Sequence, residues 1–381
     1  MKIVVMRVVT AALLTVLPAS PSAGTENGVT DREIVIGMCN ALTGPASALG
    51  TGVKKGALVY FDKINRAGGV HGRKIRIISV DDGYEPKNTI LQTKKLIAED
   101  KVFALFGYVG TPTSAAIVPF VNMGKIPFWG PFTGAELLRS PVNRHIFNVR
   151  GSYFDEAEMQ VRHLVDKKGI KRIGIFYQDD AYGLAVKGGI LKALKKRDLD
   201  LVGYGTYERN TEDIAAGLAN LRKANPEAVI MVGTYKAMAA FIKKAKAEGF
   251  NPEFLNVSFV GTAALVKELA GAGNGTLVTQ VMPSPQDATI PLIAQYQRDM
   301  KAAGHRELDY TDLEGYVDAA VFVEVLKRAG PDITRESFFQ SAENLNASIG
   351  GLEVRFSPAD HQALSAIYLT RVSGNYVIPF P

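Results

Sequence analysis

The chain has 381 residues, of which 47% are hydrophobic and 22% charged, and its formal net charge is +6. These values are ordinary for a globular protein with a sizeable core, and the length predicts two domains of ordinary size. The positive charges are spread over segments of mixed sign. Because no basic run with interleaved aromatic residues occurs, we expect no nucleic-acid partner.

The N-terminal residues 1–23 are organised like a secretory signal. Lys2 and Arg7 precede an apolar run over residues 8–17, and small or turn-prone residues follow over 18–24. The apolar run is shorter than the ~20 residues that a membrane-spanning helix needs. We therefore predict export to the periplasm with cleavage of the signal, and an uncleaved N-terminal anchor is the alternative.

From residue 33 onward, short β-branched segments alternate with amphipathic helical segments. The first series of predicted strands occupies residues 34–39, 75–80, 103–106 and 126–129. A second series occupies residues 172–177, 201–204, 228–232 and 254–260, with helical segments such as 237–248 between its strands. This alternation predicts mostly parallel sheets flanked by helices, and its two series predict two α/β lobes.

The last hundred residues do not form a third series. Helices are predicted over 292–303 and 311–328 and from residue 335, followed by short strands over 352–356 and 366–371. These segments are too few for an independent domain, so we expect them to complete the two lobes. The chain must then cross between the lobes more than once, which creates a hinge and a cleft.

Catalytic and metal-binding patterns are not found in the sequence. The only cysteine, Cys39, lies inside a predicted strand, which excludes an intramolecular disulfide and indicates a buried thiol. The five histidines have no metal-ligand spacing, and no serine-nucleophile motif occurs. The adjacent Asp81 and Asp82 end a strand, so their side chains point in opposite directions. We expect no catalytic residues, no metal and no cofactor.

Several short motifs follow one another in order along the chain. They are Leu42-Thr43-Gly44-Pro45, the glycine-rich segment 65–73, Asp81-Asp82-Gly83-Tyr84-Glu85-Pro86 and Asp180-Ala181-Tyr182-Gly183. Their order and spacing resemble the leucine/isoleucine/valine-binding branch of the type I periplasmic binding proteins, over about residues 32–380. The resemblance implies a two-lobed α/β fold with a hinge of three crossings. Lobe one would comprise residues 24–150 and 282–355, and lobe two 151–281 and 356–381.

The same resemblance implies a function in transport. The protein would be the extracytoplasmic solute-binding component of an ABC importer, a monomer that captures a branched-chain or related amino acid and delivers it to a permease in the inner membrane. Two alternatives remain open: a ligand that is an aromatic or aliphatic carboxylate or an amide, and a role as an extracytoplasmic ligand sensor. An intracellular regulator is disfavoured because the predicted signal occupies the end where a DNA-binding motif would lie.

Two threonines are the predicted carboxylate contacts. Thr111 opens a helix after a strand, where free N–H groups attract an anion, and the resemblance implies the same role for Thr133. Each residue has an alternative interpretation as a helix cap. That alternative is strongest for Thr133, because Thr133-Gly134-Ala135-Glu136 has the pattern of a capping box.

The resemblance also assigns ligand contacts to Tyr182, Tyr235 and Leu49, the last in the first loop. At the position where amino-acid binders of this branch commonly carry an acid for the ligand's ammonium, the chain has Ser258. Either another acid replaces it, with Asp180 and Glu314 as candidates, or the ligand has no ammonium.

The resemblance implies one further departure, which concerns a disulfide. The two positions where the family has its disulfide cysteines carry Tyr84 and Gly110 in this chain.

Overall fold

The computed structural model of the protein describes residues 26–380. The predicted signal segment, residues 1–23, lies outside the described residues. Among the helices between residues 26 and 380, none is long and apolar enough to cross a membrane.

The first sheet has five strands, all parallel. They are β1 (Glu33–Asn40), β2 (Lys74–Asp81), β3 (Ala104–Phe106), β4 (Phe128–Trp129) and β5 (Ile146–Phe147). Their spatial order is β2-β1-β3-β4-β5. Strand β1 is buried over nearly its whole length, as expected for a central parallel strand that is covered on both faces.

The strands that follow β5 along the chain are β6 (Ile173–Gln178), β7 (Gly203–Tyr207), β8 (Ala228–Val232), β9 (Glu253–Asn256), β10 (Leu277–Gln280), β11 (Asn346–Ile349), β12 (Leu352–Arg355), β13 (Tyr368–Ser373) and β14 (Tyr376–Pro379). Strands β11 and β12 form a separate hairpin, and the others form the second sheet, in the order β14-β13-β10-β9-β8-β6-β7. Strands β6 to β10 are parallel, whereas β13 and β14 are antiparallel to their neighbours.

Helices connect the strands of both sheets. They are α1 (Ser47–Arg66), α2 (Pro86–Ala98), α3 (Thr111–Gly124), α4 (Tyr153–Val161), α5 (Ala181–Lys195), α6 (Ala215–Ala224), α7 (Tyr235–Ala247), α8 (Thr262–Leu269), α9 (Pro291–Ala302), α10 (Tyr310–Arg328) and α11 (Arg335–Glu343). The strand–helix–strand alternation confirms the predicted α/β class.

Each sheet and its helices form a unit, which we call lobe one for the first sheet and lobe two for the second. Helices α9 to α11 pack on lobe one: Phe322 of α10 lies edge-on to Phe61 and Phe106, with ring centroids 6.2 and 5.6 Å away. The chain passes from the first sheet to the second after β5, returns after β10, and passes over again before β13. Three segments therefore connect the two lobes.

Close packing of α1 against α10 fixes the part of lobe one that faces the other lobe. A Cβ atom added to Gly56 would lie 1.7 Å from the carbonyl oxygen of Asp312, so only glycine permits this approach. Lys55 also forms an ion pair with Asp312. The approach holds the start of α10, which contains Glu314, beside the first turns of α1.

Some predicted boundaries differ from the observed ones. The strand predicted at 201–204 begins two residues later, as β7. The strand predicted at 254–260 ends at Asn256, and a 3-10 turn over Ser258–Val260 replaces its second half. Strand β10 was not predicted. Its four residues carry too little periodicity to reveal a strand that the neighbouring β9 and β13 complete.

Candidate ligand-binding cleft

The two lobes meet along the edge where their parallel strands end. Across this edge, the backbone N–H of Ala48 in lobe one donates to Tyr235 Oη in lobe two at 3.3 Å. Gln178 of lobe two donates through Nε2 to Tyr84 Oη of lobe one at 3.2 Å. The structure therefore shows the lobes in contact, with side chains from both enclosed between them. We call the space between them the cleft.

Thr111 and Thr133 lie side by side on the lobe-one wall. Thr111 is the first residue of α3, and Thr133 follows β4. Their Oγ1 atoms are 2.6 Å apart and both residues are fully buried. Thr133 also donates to Tyr153 Oη at 3.3 Å. The structure thus brings together the two threonines that the sequence predicted as carboxylate contacts.

The capping-box interpretation of Thr133 is wrong. The following turn is a 3-10 helix over Glu136–Leu138, which is preceded by Ala135 and has no side-chain cap. Thr133 Oγ1 instead accepts a hydrogen bond from the Ala135 N–H at 3.3 Å. Thr111 caps no helix either, because Gly110 is the residue before α3.

The start of α3 supplies further donors. The first N–H groups of a helix have no partner within the helix and carry partial positive charge. Ser114, in the same first turn, is fully buried, and its Oγ has no hydrogen-bond partner between residues 26 and 380. By contrast, Thr113 Oγ1 donates to the Val109 carbonyl at 2.5 Å and is therefore occupied. This wall is a hydrogen-bond donor surface suited to an anion.

Aromatic rings fill the centre of the cleft. Tyr182, in the first turn of α5, is buried with its ring centroid 4.5 Å from that of Phe259 and 5.5 Å from that of Tyr153. Phe259 of lobe two reaches lobe one, 5.5 Å from Phe132 and 6.1 Å from Tyr84. Burial raises the pKa of Tyr182 well above its ordinary value, so its hydroxyl is neutral. Its Oη has no hydrogen-bond partner in the part of the chain that the structure describes.

Tyr235 and Leu49 occupy the α1 side of the cleft. Tyr235 is the first residue of α7 and contacts α1 through its hydroxyl, as described above. Leu49 lies inside α1 and not in a loop, which corrects its predicted position. A Cβ atom on Gly261 of lobe two would lie 2.5 Å from Leu49 Cδ2, so Leu49 packs closely against the opposite lobe.

Ser258 belongs to a buried polar network that the sequence did not predict. Its backbone N–H and Oγ donate to Glu156 at 2.7 and 2.9 Å, and the guanidinium of Arg150 also contacts Ser258 Oγ. Arg150 is only 1% exposed and pairs with Glu156 at 3.2 Å. Glu156 accepts a further bond from Thr279 at 2.5 Å. Arg150 comes three residues after β5, at the carboxyl end of a parallel strand. This position is the sequence feature that could have indicated a residue of the cleft.

The two acids predicted as possible replacements for an acid at position 258, Glu314 and Asp180, have different surroundings in the structure. Glu314 of α10 accepts from Arg150 Nη1 at 3.4 Å, and burial raises its pKa to about 7 although Arg150 opposes the shift. Asp180 caps α5 by accepting from the Tyr182 N–H at 2.9 Å and pairs with Arg209 at 3.0 Å. Glu314 therefore belongs to the Arg150 network, whereas Asp180 has a structural role at the start of α5.

Tyr84 and Gly110, the positions where the resemblance implies a disulfide, are in close contact. A Cβ atom on Gly110 would lie 2.3 Å from Tyr84 Cε2, and Gly110 has a φ of 108°. The tyrosine ring thus packs directly on the glycine backbone, and only a residue without a side chain leaves room for it.

Comparisons with known proteins agree with this architecture. A family model described as periplasmic binding protein matches residues 33–376. The chain is 23% identical over 273 residues to the leucine-specific-binding protein of Salmonella typhimurium, which covers 72% of this chain and 74% of that protein. It is 26% identical over 216 residues to the Leu/Ile/Val-binding protein homolog 3 of Brucella melitensis, covering 56% and 57% of the two chains.

Solved structures give the same result at higher coverage. A possible leucine/isoleucine/valine-binding protein from Rhodopirellula baltica is 34% identical, covers 94% of this chain and 98% of its own, and has a TM-score of 0.87. A substrate-binding periplasmic protein from Ralstonia solanacearum is 28% identical, covers 91% and 100%, and has a TM-score of 0.85. The chain therefore belongs to the periplasmic binding protein family, in the branch of the leucine/isoleucine/valine-binding proteins.

Proposed function

We propose that the protein is the extracytoplasmic solute-binding component of an ABC importer, and that it captures a small carboxylate in the cleft by closure of lobe two over lobe one. The observation that carries the proposal is the pair Thr111 and Thr133, 2.6 Å apart and buried, beside the start of α3. In this structure the two hydroxyls are hydrogen-bonded to each other and to Tyr153, and they would turn to a carboxylate, which the N–H groups at the start of α3 would also bind.

The rest of the cleft suits a small organic body. The lobe-one rings of Phe132 and Tyr84 meet Phe259 of lobe two, which in turn packs against Tyr182. An aliphatic or aromatic side chain held between them would be removed from water by both lobes. Relatives are named for leucine, isoleucine and valine, which supports a branched-chain or related skeleton for the ligand.

Closure would let a partner protein distinguish the ligand-bound form from the free form. A ligand shifts an open–closed equilibrium only if it binds the closed state more tightly. Here the donors belong to lobe one while Tyr182 and Phe259 belong to lobe two, so contact with both walls requires closure. The closed form would then be the species that a permease in the inner membrane recognises.

A thermal-shift screen tests the proposal. The exported protein, without residues 1–23, is unfolded and refolded to remove carried-over ligand. It is then mixed with branched-chain and aromatic amino acids, their deaminated acids and short amides. A ligand at 1,000 times its Kd stabilises the fold by about 4 kcal/mol. We expect a large shift with at least one carboxylate and a smaller radius of gyration in solution scattering. No shift with any carboxylate at millimolar concentration would contradict the proposal.

A further inference from the structure

Arg150 places a permanent positive charge inside the cleft. Its side chain is 1% exposed, and the guanidinium carbon lies 5.0 Å from the Phe132 ring centre and 5.9 Å from that of Tyr153. Tyr153 in turn accepts the hydrogen bond from Thr133. The guanidinium is therefore one aromatic side chain away from the pair of threonines.

The carboxylates around Arg150 are already engaged. Glu156 accepts from Arg150, from the backbone and side chain of Ser258 and from Thr279. Glu314 is paired with Arg150 Nη1. An ammonium entering this network would compete with Arg150 for the same acids and would lie close to a like charge in a medium of low dielectric constant.

Among the described residues, the unpartnered polar atoms near this network include one that can only donate a hydrogen bond, Arg150 Nε, together with two hydroxyls that can donate or accept and the amide oxygen of Gln160. Arg150 Nε, Tyr182 Oη and Ser114 Oγ have no partner among the described residues, although each side chain is buried. Asp318, one turn beyond Glu314 on α10, has two carboxyl oxygens that find no hydrogen-bond partner within the described residues. Burial, and then the neighbouring Glu314, raise the pKa of Asp318 well above its ordinary value, which favours the neutral form of this carboxyl group.

A buried donor without a partner is costly, and a ligand acceptor that satisfies it is favoured. We propose that the cleft selects an organic acid without an ammonium group, whose carboxylate binds Thr111 and Thr133 while a neutral oxygen on the neighbouring carbon accepts from Arg150. A 2-oxo acid has this chemistry. The inference rests on the proposed function and specifies its ligand class, with Arg150 taking the place that the ammonium of an amino acid would need.

A matched set of ligands tests the proposal. Leucine, 4-methyl-2-oxopentanoate and 4-methylpentanoate share one carbon skeleton and differ only at the second carbon. Their dissociation constants are measured by titration calorimetry on the refolded protein without residues 1–23. We expect the 2-oxo acid to bind at least tenfold more tightly than leucine and several-fold more tightly than the unsubstituted acid.

The outcomes separate this inference from the proposed function. If leucine binds as tightly as the 2-oxo acid or more tightly, the proposed function stands and the absence of an ammonium is refuted. If the unsubstituted acid equals the 2-oxo acid, the acceptor contact with Arg150 is refuted. If neither these acids nor leucine bind, and no other carboxylate does, both proposals fail.

Two variants assign the selectivity to Arg150. Arg150→Lys keeps the charge but removes Nε and the planar fork, so the 2-oxo acid should lose at least tenfold in affinity while the unsubstituted acid changes little. The double variant Arg150→Met with Glu156→Gln removes both charges together, and the preference for the 2-oxo acid over leucine should disappear. Circular dichroism checks that each variant is folded, and the exposed Arg76→Lys is the control. An unchanged preference in folded Arg150→Lys would overturn the assignment.

Discussion

Arg209 of lobe two donates through Nη2 to the carboxylate of Glu85 in lobe one at 3.0 Å, and its Nη1 reaches Asp180 at 3.0 Å. The neighbouring Asn210 donates to Glu85 at 2.7 Å as well. These side chains, which we call the latch, connect the two lobes beside Tyr84. Because the side chains of Arg209 and Glu85 are 22% and 43% exposed, solvent screens the pair.

Breaking the latch should weaken ligand binding only modestly. Glu85→Gln removes one charge of a partly exposed pair worth about 0.2–1 kcal/mol, so we expect a loss of up to about fivefold in affinity. The loss should shrink as the NaCl concentration rises, because salt screens exposed charges. Titration calorimetry at low and high salt measures both effects. Glu33→Gln, which breaks an exposed pair with Arg76 within lobe one, is the control, and an equal loss there would contradict the latch.

Removing the Thr111 hydroxyl should weaken binding strongly. Thr111→Ala loses a hydrogen bond to a charged ligand group, which we expect to cost roughly 1–3 kcal/mol, or about five- to 150-fold in Kd. Thr30→Ala is the matched control, since Thr30 is exposed and lies before the amino end of β1. Calorimetry gives both values. Unchanged affinity in Thr111→Ala would remove this residue from the site.

Tyr182→Phe should have opposite effects on the free protein and on its complex. The buried hydroxyl has no hydrogen-bond partner among residues 26–380, so its removal should raise the free energy of unfolding by about 1 kcal/mol. Because the proposed site places this hydroxyl against the ligand, affinity should fall by about tenfold. Urea unfolding and calorimetry measure the two quantities. Tyr376→Phe, at a tyrosine that is 76% exposed, should change neither. Greater stability with undiminished affinity would show that the Tyr182 hydroxyl makes no ligand contact.

The buried Glu314 should make stability depend on pH. Its pKa is raised from 4.5 to about 7, first because of burial. The folded state therefore retains a proton that the unfolded chain releases, and the free energy of unfolding should fall as the pH rises from about 4.5 to about 7. The contribution is at most about 1.4 kcal/mol per pH unit within that window.

Glu314→Gln cannot titrate and should lack this contribution. The difference between wild type and variant, measured by urea unfolding at pH 5, 6, 7 and 8, reports the titration of Glu314 together with its effect on the neighbouring Asp318. The exposed Glu212→Gln is the control. Parallel stability curves for wild type and Glu314→Gln would be inconsistent with a raised pKa.

Gly56→Ala should destabilise lobe one. The new Cβ would lie 1.7 Å from the Asp312 carbonyl oxygen, so α1 and α10 must separate. We expect a loss of about 3 kcal/mol or more in the free energy of unfolding. Gly188→Ala in α5 is the matched control, because its Cβ would come no closer than 3.9 Å to a neighbour. Helix propensity there should give a gain of about 0.8–1 kcal/mol, and equal effects at the two sites would refute the packing argument.

Much of the fold could be predicted from local patterns of apolar residues in the sequence. Strand β8 was predicted with its observed bounds, and α9 and α10 within one residue. In each case apolar residues recur at the period of the element, so the local chain carries the signal. The position of Thr111 at the start of a helix was also predicted, because a strand followed by a helix start is a local pattern, whereas its role as a carboxylate contact stays a prediction.

The tertiary structure decided what depends on distant partners. A capping box in Thr133-Gly134-Ala135-Glu136 is locally reasonable, yet the structure directs Thr133 to Thr111 and Tyr153 instead. The environment of Ser258 depends on Arg150 and Glu156, which are more than 100 residues away in the chain. The sequence by itself determined the α/β alternation, the two series of strands and the places of Thr111 and Thr133 after strands. Only the tertiary structure places the guanidinium of Arg150 against Ser258. Burial and ion pairing depend on contacts between residues far apart in the chain, and a local sequence pattern carries no information about such contacts.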